Sequence, residues 1–203
     1  MISKREKPLI ALDLTGVLED SWPYKRNWFL RKGVDLGPIP LSLERILQIS
    51  KCDEKTYISM KQEVYSDQCF AMHPAVADSV RGVSELSQRF RVSVVTTRVQ
   101  THRISTEQWL YEKGFSNYLD SLVMLGVEEG MHEAPPYAKI QWCIDNGAIA
   151  LVDDTLDNLV PENGTELLPF RRVLFNGEEN ITAPSSILQV HNWAALIKIF
   201  NNL

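Results

Sequence analysis

Five short apolar runs punctuate the chain, at 9–13 (LIALD), 92–96 (VSVVT), 121–125 (SLVML), 148–153 (AIALVD) and 172–175 (RVLF). Each is four to six residues long and shows little polar alternation, the pattern of strands buried on both faces of a parallel sheet. Helical spacing fills the intervals. Val76, Val80, Val83 and Leu86 fall on one helical face. The segment 105–115 offers Ser105 or Thr106 as an N-cap and Gly114 as a stop, and 135–147 opens on proline and closes at Gly147. The stretch 192–202 (NWAALIKIFNN) reads as a closing amphipathic helix. Strands alternating with helices predict an α/β domain around a Rossmann-like parallel sheet.

Residues 19–73 depart from that pattern. They carry no strong strand signal, and the segments SWPYKRNWFLRKG, LERILQI and KTYISMKQEVYSDQCF, with a turn at LGPIPLS, predict several short helices inserted after the first strand. The chain thus divides into 1–18 with 74–203, and 19–73. Aromatic residues of the insert (Trp22, Tyr24, Trp28, Phe29, Tyr57, Tyr65) are expected mainly as packing, with one or two available to stack on a ligand.

Composition narrows the function. A chain of 203 residues, 44% hydrophobic and 23% charged, has the make-up of one soluble globular domain with a small insert. A net charge of -5 argues against a nucleic-acid polymer as partner. Cys52, Cys69 and Cys143 share no metal-type spacing and read as free thiols of a reducing compartment. No apolar run has the length of a signal peptide or membrane span, so the expected address is cytoplasmic, without a membrane partner. The four histidines, at 73, 102, 132 and 191, lack ligand spacing and read as structural or surface residues.

Ligands of open parallel sheets gather at the carboxyl ends of strands. There the sequence sets Asp13 with Leu14-Thr15-Gly16, Thr96-Thr97-Arg98, and Asp153-Asp154, with Lys139 on the helix leading into the last. An aspartate after a strand is commonly a turn or cap residue. In company with a lysine and a paired aspartate, Asp13 reads as functional. Asp13 and Asp154 can share a hard divalent cation with oxygen ligands, which suits Mg²⁺. The loop at Gly16 can turn backbone N–H groups to an anion, Thr96 can donate to it, and Lys139 can neutralise it. Thr97 could simply be a β-former at the strand end, Arg98 fits equally the site or a pairing with a surface carboxylate, and Asp153 supports the metal ligand from behind. Asp157 fits equally a partner of the site or a helix N-cap. The chemistry suggested is in-line attack of Asp13 on a phosphoryl group to form an aspartyl phosphate.

The ordered motifs hhhhDxTGVL, hVVTTR, a lysine and hhVDD resemble those of the haloacid dehalogenase-like superfamily, over nearly the whole chain. The segment 94–115, the paired aspartate, and VLFNGEEN followed by HNWAALIKI are similar to the 5'(3')-deoxyribonucleotidase-like branch. The resemblance implies a Mg²⁺-dependent phosphohydrolase of small phosphomonoesters, nucleotides among them, with 19–73 as a helical cap. It implies Asp13, Asp154 and the Thr15 backbone carbonyl as metal ligands, Asp13 as nucleophile, and Thr96 and Lys139 on the phosphoryl group. Leu14, Gly16, Thr97 and Arg98 line the substrate.

The pattern departs at Thr15, where the superfamily's phosphatases usually carry a second Asp as general acid and base. A hydroxyl cannot trade a proton near neutrality, and loss of such a group is worth roughly 10²–10⁴ in rate. Weak turnover, or turnover confined to good leaving groups, is expected. The alternative is a degenerate relative that binds a phosphorylated ligand or a protein partner without efficient hydrolysis.

Overall fold

The computed structural model describes residues 7–41, 43–126, 137–161, 167–175 and 183–202. Its sheet contains β1 (Leu9–Leu12), β2 (Arg91–Val99), β3 (Ser121–Gly126), β4 (Ala148–Asp153), β5 (Arg171–Phe175) and β6 (Ile187–Val190). The strand order is β3-β2-β1-β4-β5-β6, and every neighbouring pair is parallel. The chain therefore winds outward from β1 to one edge, returns to the centre, and winds to the other. This leaves a crevice at the carboxyl ends of β1, β2 and β4.

β1 shows why the apolar runs are continuous. Ile10 and Leu12 pack into one core layer with Trp109, Leu110, Trp193 and Leu196, and Leu9 and Ala11 pack into the opposite layer with Ile140 and Cys143. Successive side chains of a strand point to opposite faces, so a central strand covered on both sides has no polar position to spare. The covering helices are α5 (Ser79–Ser87), α6 (Arg103–Glu112), α7 (Ala138–Asp145) and α8 (Trp193–Asn201), numbered after the four of the insert.

Two readings of the sequence need correction here. A sixth strand, β6, lies at 187–190. It is an edge strand with one neighbour, and its middle residues Leu188 and Gln189 are exposed, so no continuous apolar run marks it. The helix expected to start at Ser105 or Thr106 begins at Arg103; both hydroxyls lie inside α6 and donate to the His102 carbonyl. The segments 127–136 and 176–182, which include His132 and most of NGEEN, lie outside the described residues.

Between β1 and α5 run α1 (Trp22–Leu30), α2 (Leu43–Ser50), α3 (Glu54–Val64) and α4 (Asp67–Met72). Trp22, Trp28, Phe29, Leu36, Ile46, Met60 and Val64 form a third apolar cluster of their own, with Tyr24 and Tyr57 against it. α4 belongs partly to the larger body, since Phe70 is buried beside Trp109 in the main core. The outgoing and returning chains lie side by side, with Val76 N–H donating to Leu18 O at 2.8 Å and Asp20 N–H to Pro74 O at 3.0 Å. Among the described residues no helix is long and apolar enough to cross a membrane.

Candidate active site

Asp13 follows β1 directly, and its N–H still donates to Val152 O of β4 at 2.8 Å. Leu12 is in register with Val152, so the next residues, Asp13 and Asp153, arrive together at the carboxyl edge. Lys139, in the first turn of α7, bridges them: Nζ is 2.8 Å from Asp13 Oδ1 and 2.6 Å from Asp153 Oδ2. Leu14 N–H donates to Asp13 Oδ1 at 2.7 Å, and among the described residues no hydrogen bond is made to Oδ2. Asp153 Oδ1 is taken by Thr155 N–H at 2.9 Å and Asn158 Nδ2 at 3.0 Å. Asp153 is thus wholly engaged with protein, whereas Asp13 keeps one oxygen for a ligand.

Asp154 completes the set. One oxygen from each of Asp13, Asp153 and Asp154 lies within 4.8 Å of the others. Three carboxylates against one ammonium leave the centre at -2 when all are ionised. Burial raises the Asp13 carboxyl well above its ordinary range, and Asp153 and Asp154 raise it further against the pull of Lys139. Burial, followed by Asp153, pushes Asp154 up to about 6, opposed by Lys25 and Lys139. Burial alone would lower the Lys139 ammonium, but Asp13 and Asp153 outweigh it and hold it above its usual value. A crevice of hard oxygen donors carrying this surplus charge fits a small divalent cation such as Mg²⁺.

The loop after Asp13 is shaped around Asp154. Gly16 has φ +80°, and a Cβ there would fall 2.1 Å from Asp154 Oδ2. Glycine is required on both counts. Its N–H donates to Glu19 O at 2.7 Å, and the Leu14 side chain is sealed in the core, so the N–H groups of Leu14 and Gly16 are spent inside the loop. Thr15 is half-buried and bridges to Glu19. Thr96 is buried at the end of β2, its Oγ1 accepting from Arg98 N–H at 3.3 Å.

Thr97 and Arg98 sit where the β2–β3 register shifts, a bulge that re-aims the side chains. Arg98 is turned away from the carboxylates and under α4. Its guanidinium lies 3.9 Å from the Phe70 ring centroid and 4.0 Å from Asp67. Asp157 is exposed in the 3₁₀ turn of 156–158, and its neighbour Asn158 makes the bond to Asp153.

Three features were not read from the sequence. Asn158 was detectable in principle, as the polar side chain five residues past a strand-end carboxylate. Lys25, on α1, acts electrostatically on Asp154 from the insert. Glu19 Oε1 and His73 Nδ1 meet at 2.6 Å, both side chains fully buried, at the two crossings between insert and sheet. Only the tertiary fold brings these last partners together.

No family model and no curated relative matches the chain. Solved structures do. A haloacid dehalogenase-like family hydrolase from Streptococcus pneumoniae superposes with a TM-score of 0.60 at 14% identity, covering 96% of this chain and 98% of that one. A predicted phosphatase from Clostridium acetobutylicum gives 0.63 at 14%, covering 97% and 99%. A Bacillus subtilis protein described as a HAD-hydrolase and solved bound to magnesium gives 0.59 at 14%, covering 96% and 99%. The fold is therefore the haloacid dehalogenase-like α/β fold, along the full length of these neighbours. At such identity the likeness carries the fold and not the chemistry.

Proposed function

We propose that the protein is a phosphohydrolase of small phosphomonoesters that works through an aspartyl phosphate on Asp13. In this reading residues 1–18 and 74–203 form the core and 19–73 a helical cap, supported by the insert's separate apolar cluster. The observation that carries the reading is the state of Asp13. One oxygen is fixed by Lys139 and the Leu14 N–H, the other accepts no hydrogen bond among the described residues, and the carboxyl lies in one cluster with Asp153 and Asp154.

Asp13 Oδ2 is the nucleophile, held in orientation through Oδ1. Lys139 keeps a permanent positive charge beside the incoming phosphoryl group, and Thr96 closes the site at the end of β2. Asp153 fixes Lys139 and is itself fixed by Thr155 and Asn158. A Mg²⁺ ion held by Asp13, Asp154 and the Thr15 carbonyl would relieve the repulsion between carboxylate and phosphate. Thr15 supplies no proton at neutral pH, so release of poor leaving groups and hydrolysis of the intermediate are slow. That two proteins sharing this fold are described as a hydrolase and a predicted phosphatase is consistent with this class of reaction.

The test is hydrolysis of p-nitrophenyl phosphate and a panel of nucleoside monophosphates, with Mg²⁺ and with chelator, alongside Asp13→Asn. Metal-dependent turnover that vanishes in the variant is the expected result. Turnover that survives Asp13→Asn sinks the proposal. Metal binding with no turnover in wild type, rescued by Thr15→Asp, would favour a ligand-binding relative that has lost its acid.

A further inference from the structure

The insert carries a nucleophile that the Asp13 chemistry does not use. Cys69 lies in α4 and His73 caps the end of that helix, four residues on and so on the same face. Cys69 Sγ is 3.7 Å from His73 Nε2, and on the other side of the ring Nδ1 meets Glu19 Oε1 at 2.6 Å. Thiol, imidazole and carboxylate thus stand in series. His73 is fully buried and its ring is held in place, against Tyr24 at 4.4 Å and Phe70 at 5.6 Å between centroids. Its carbonyl accepts from Trp109 Nε1 at 2.9 Å. Glu19 is fully buried too, so no solvent separates it from the imidazole.

The thiol end of the series opens outward. Cys69 is half-buried and lines a cleft of about 330 Å³ between α1, α3 and α4, a size that accepts a small organic molecule. Asn27, Arg31, Glu63 and Gln68 line it with Tyr24 and Met72, so its walls offer amides and both signs of charge beside apolar surface. Burial, then the Glu63 charge, pushes the Cys69 thiol above its ordinary value against the pull of Arg31. The sulfur therefore rests as S–H, and unassisted it is a poor nucleophile. His73 Nε2 is placed to take the proton as sulfur attacks, and Glu19 to stabilise the imidazolium that results. Among the described residues no histidine hydrogen-bonds to the other two thiols, Cys52 and the buried Cys143.

We propose that Cys69 is the nucleophile of a second site, activated by His73 and Glu19 to form mixed disulfides with small polar disulfides seated in the cleft. The S–H proton passes to His73 Nε2 as Sγ attacks one sulfur of the ligand. The Sγ–S bond forms, the ligand's S–S bond breaks, and its electron pair leaves on the other sulfur. That thiolate takes the proton back from His73 and departs as a thiol. Cys69 is oxidised, the departing half of the ligand is reduced, and no further reactant is needed. The inference stands apart from the phosphohydrolase reading.

The experiment mixes the full-length protein at pH 7 with oxidised glutathione. Samples are quenched in acid, and peptide mass spectrometry gives the rates at Cys69 and Cys52 in the same molecules. A raised thiol without a base would make Cys69 the slower of the two. The array makes it the faster, with a normal solvent deuterium isotope effect that Cys52 lacks. His73→Gln is expected to slow Cys69 by about 10²-fold, and Glu19→Gln to slow it less. Asn27→Trp, at an exposed position, should slow it by filling the cleft. Cys52 should keep its rate in each variant, and it reports folding, since an opened insert would speed it. Cys69 slower than Cys52 in wild type, or unchanged in His73→Gln or Asn27→Trp, overturns the inference. Should His73→Gln unfold, the wild-type order and isotope effect still decide.

Discussion

Lys139 and Asp13 are joined at 2.8 Å with both side chains nearly sealed from solvent, and the same ammonium reaches Asp153 at 2.6 Å. A charge removed from such an arrangement leaves its partners buried and uncompensated, at a cost of about 3–5 kcal/mol. Lys139→Met is therefore expected to lower the melting temperature by roughly 2–4 °C for each kcal/mol lost, and to abolish Asp13-dependent turnover. Thermal melts at pH 7 read the first effect. A variant as stable as wild type would mean that the triad of charges is not held as described.

Asp154 predicts the opposite sign. Its carboxyl sits at about 6 in the fold against an ordinary 3.8. The folded chain thus binds this proton more tightly than the unfolded one, and the group's contribution turns against folding as pH rises from about 4 to 6. Without metal, Asp154→Asn should raise the melting temperature at pH 7 and leave it unchanged at pH 4. Added Mg²⁺ should stabilise wild type at pH 7, progressively less as pH falls below 6, and not stabilise the variant. Melts across that range, with Mg²⁺ and with chelator, separate these outcomes; a Mg²⁺ shift that persists in Asp154→Asn would remove this residue from the metal site.

Gly16 ties loop shape to the same carboxylate. Alanine there meets a left-handed backbone, worth roughly 1 kcal/mol, and places a methyl carbon 2.1 Å from Asp154 Oδ2. The sheet does not depend on this contact. Gly16→Ala should keep its far-UV circular dichroism while losing at least about tenfold in Mg²⁺ affinity, the scale of a displaced ligand's support. Titration calorimetry showing unaltered affinity would mean that Asp154 can step aside without consequence.

Strand-end chemistry was legible in the sequence because it is local. A continuous apolar run fixes a central strand, and the residue after it must lie at the carboxyl edge, so Asp13, Thr96 and Asp153 were placed by counting. Lys139 was placed by its helix. β6 was not legible, since an edge strand is half exposed and its ILQV carries no run. Arg98 was open between the site and a surface carboxylate, and the bulge at Thr97 turns its side chain toward Phe70 and Asp67. Lys25 and the Glu19–His73 pair were invisible for a different reason. Their roles depend on how the insert folds back over the sheet, with Glu19 and His73 meeting across 54 residues of chain.

Thr15 offers the sharpest prediction, because it stands where a proton donor for the departing oxygen would act. With threonine at this position the loop offers the departing oxygen no proton, which suffices for an acidic leaving group and fails for an alkoxide. A carboxyl at position 15 would add a proton donor to the loop itself. Thr15→Asp should therefore raise turnover of alkyl phosphates by roughly 10²–10⁴ and change that of dinitrophenyl phosphate little, since that leaving group needs no proton. The gain carries a cost. A fourth carboxylate in a centre already at -2 should lower the metal-free melting temperature at pH 7, with Mg²⁺ restoring it more than in wild type. Parallel measurement of alkyl and aryl phosphate turnover, with melts at both metal conditions, tests the whole argument. Equal gains on both substrate types would mean that position 15 limits hydrolysis of the phosphoenzyme. No gain on either would mean that the missing acid is not what restrains this site.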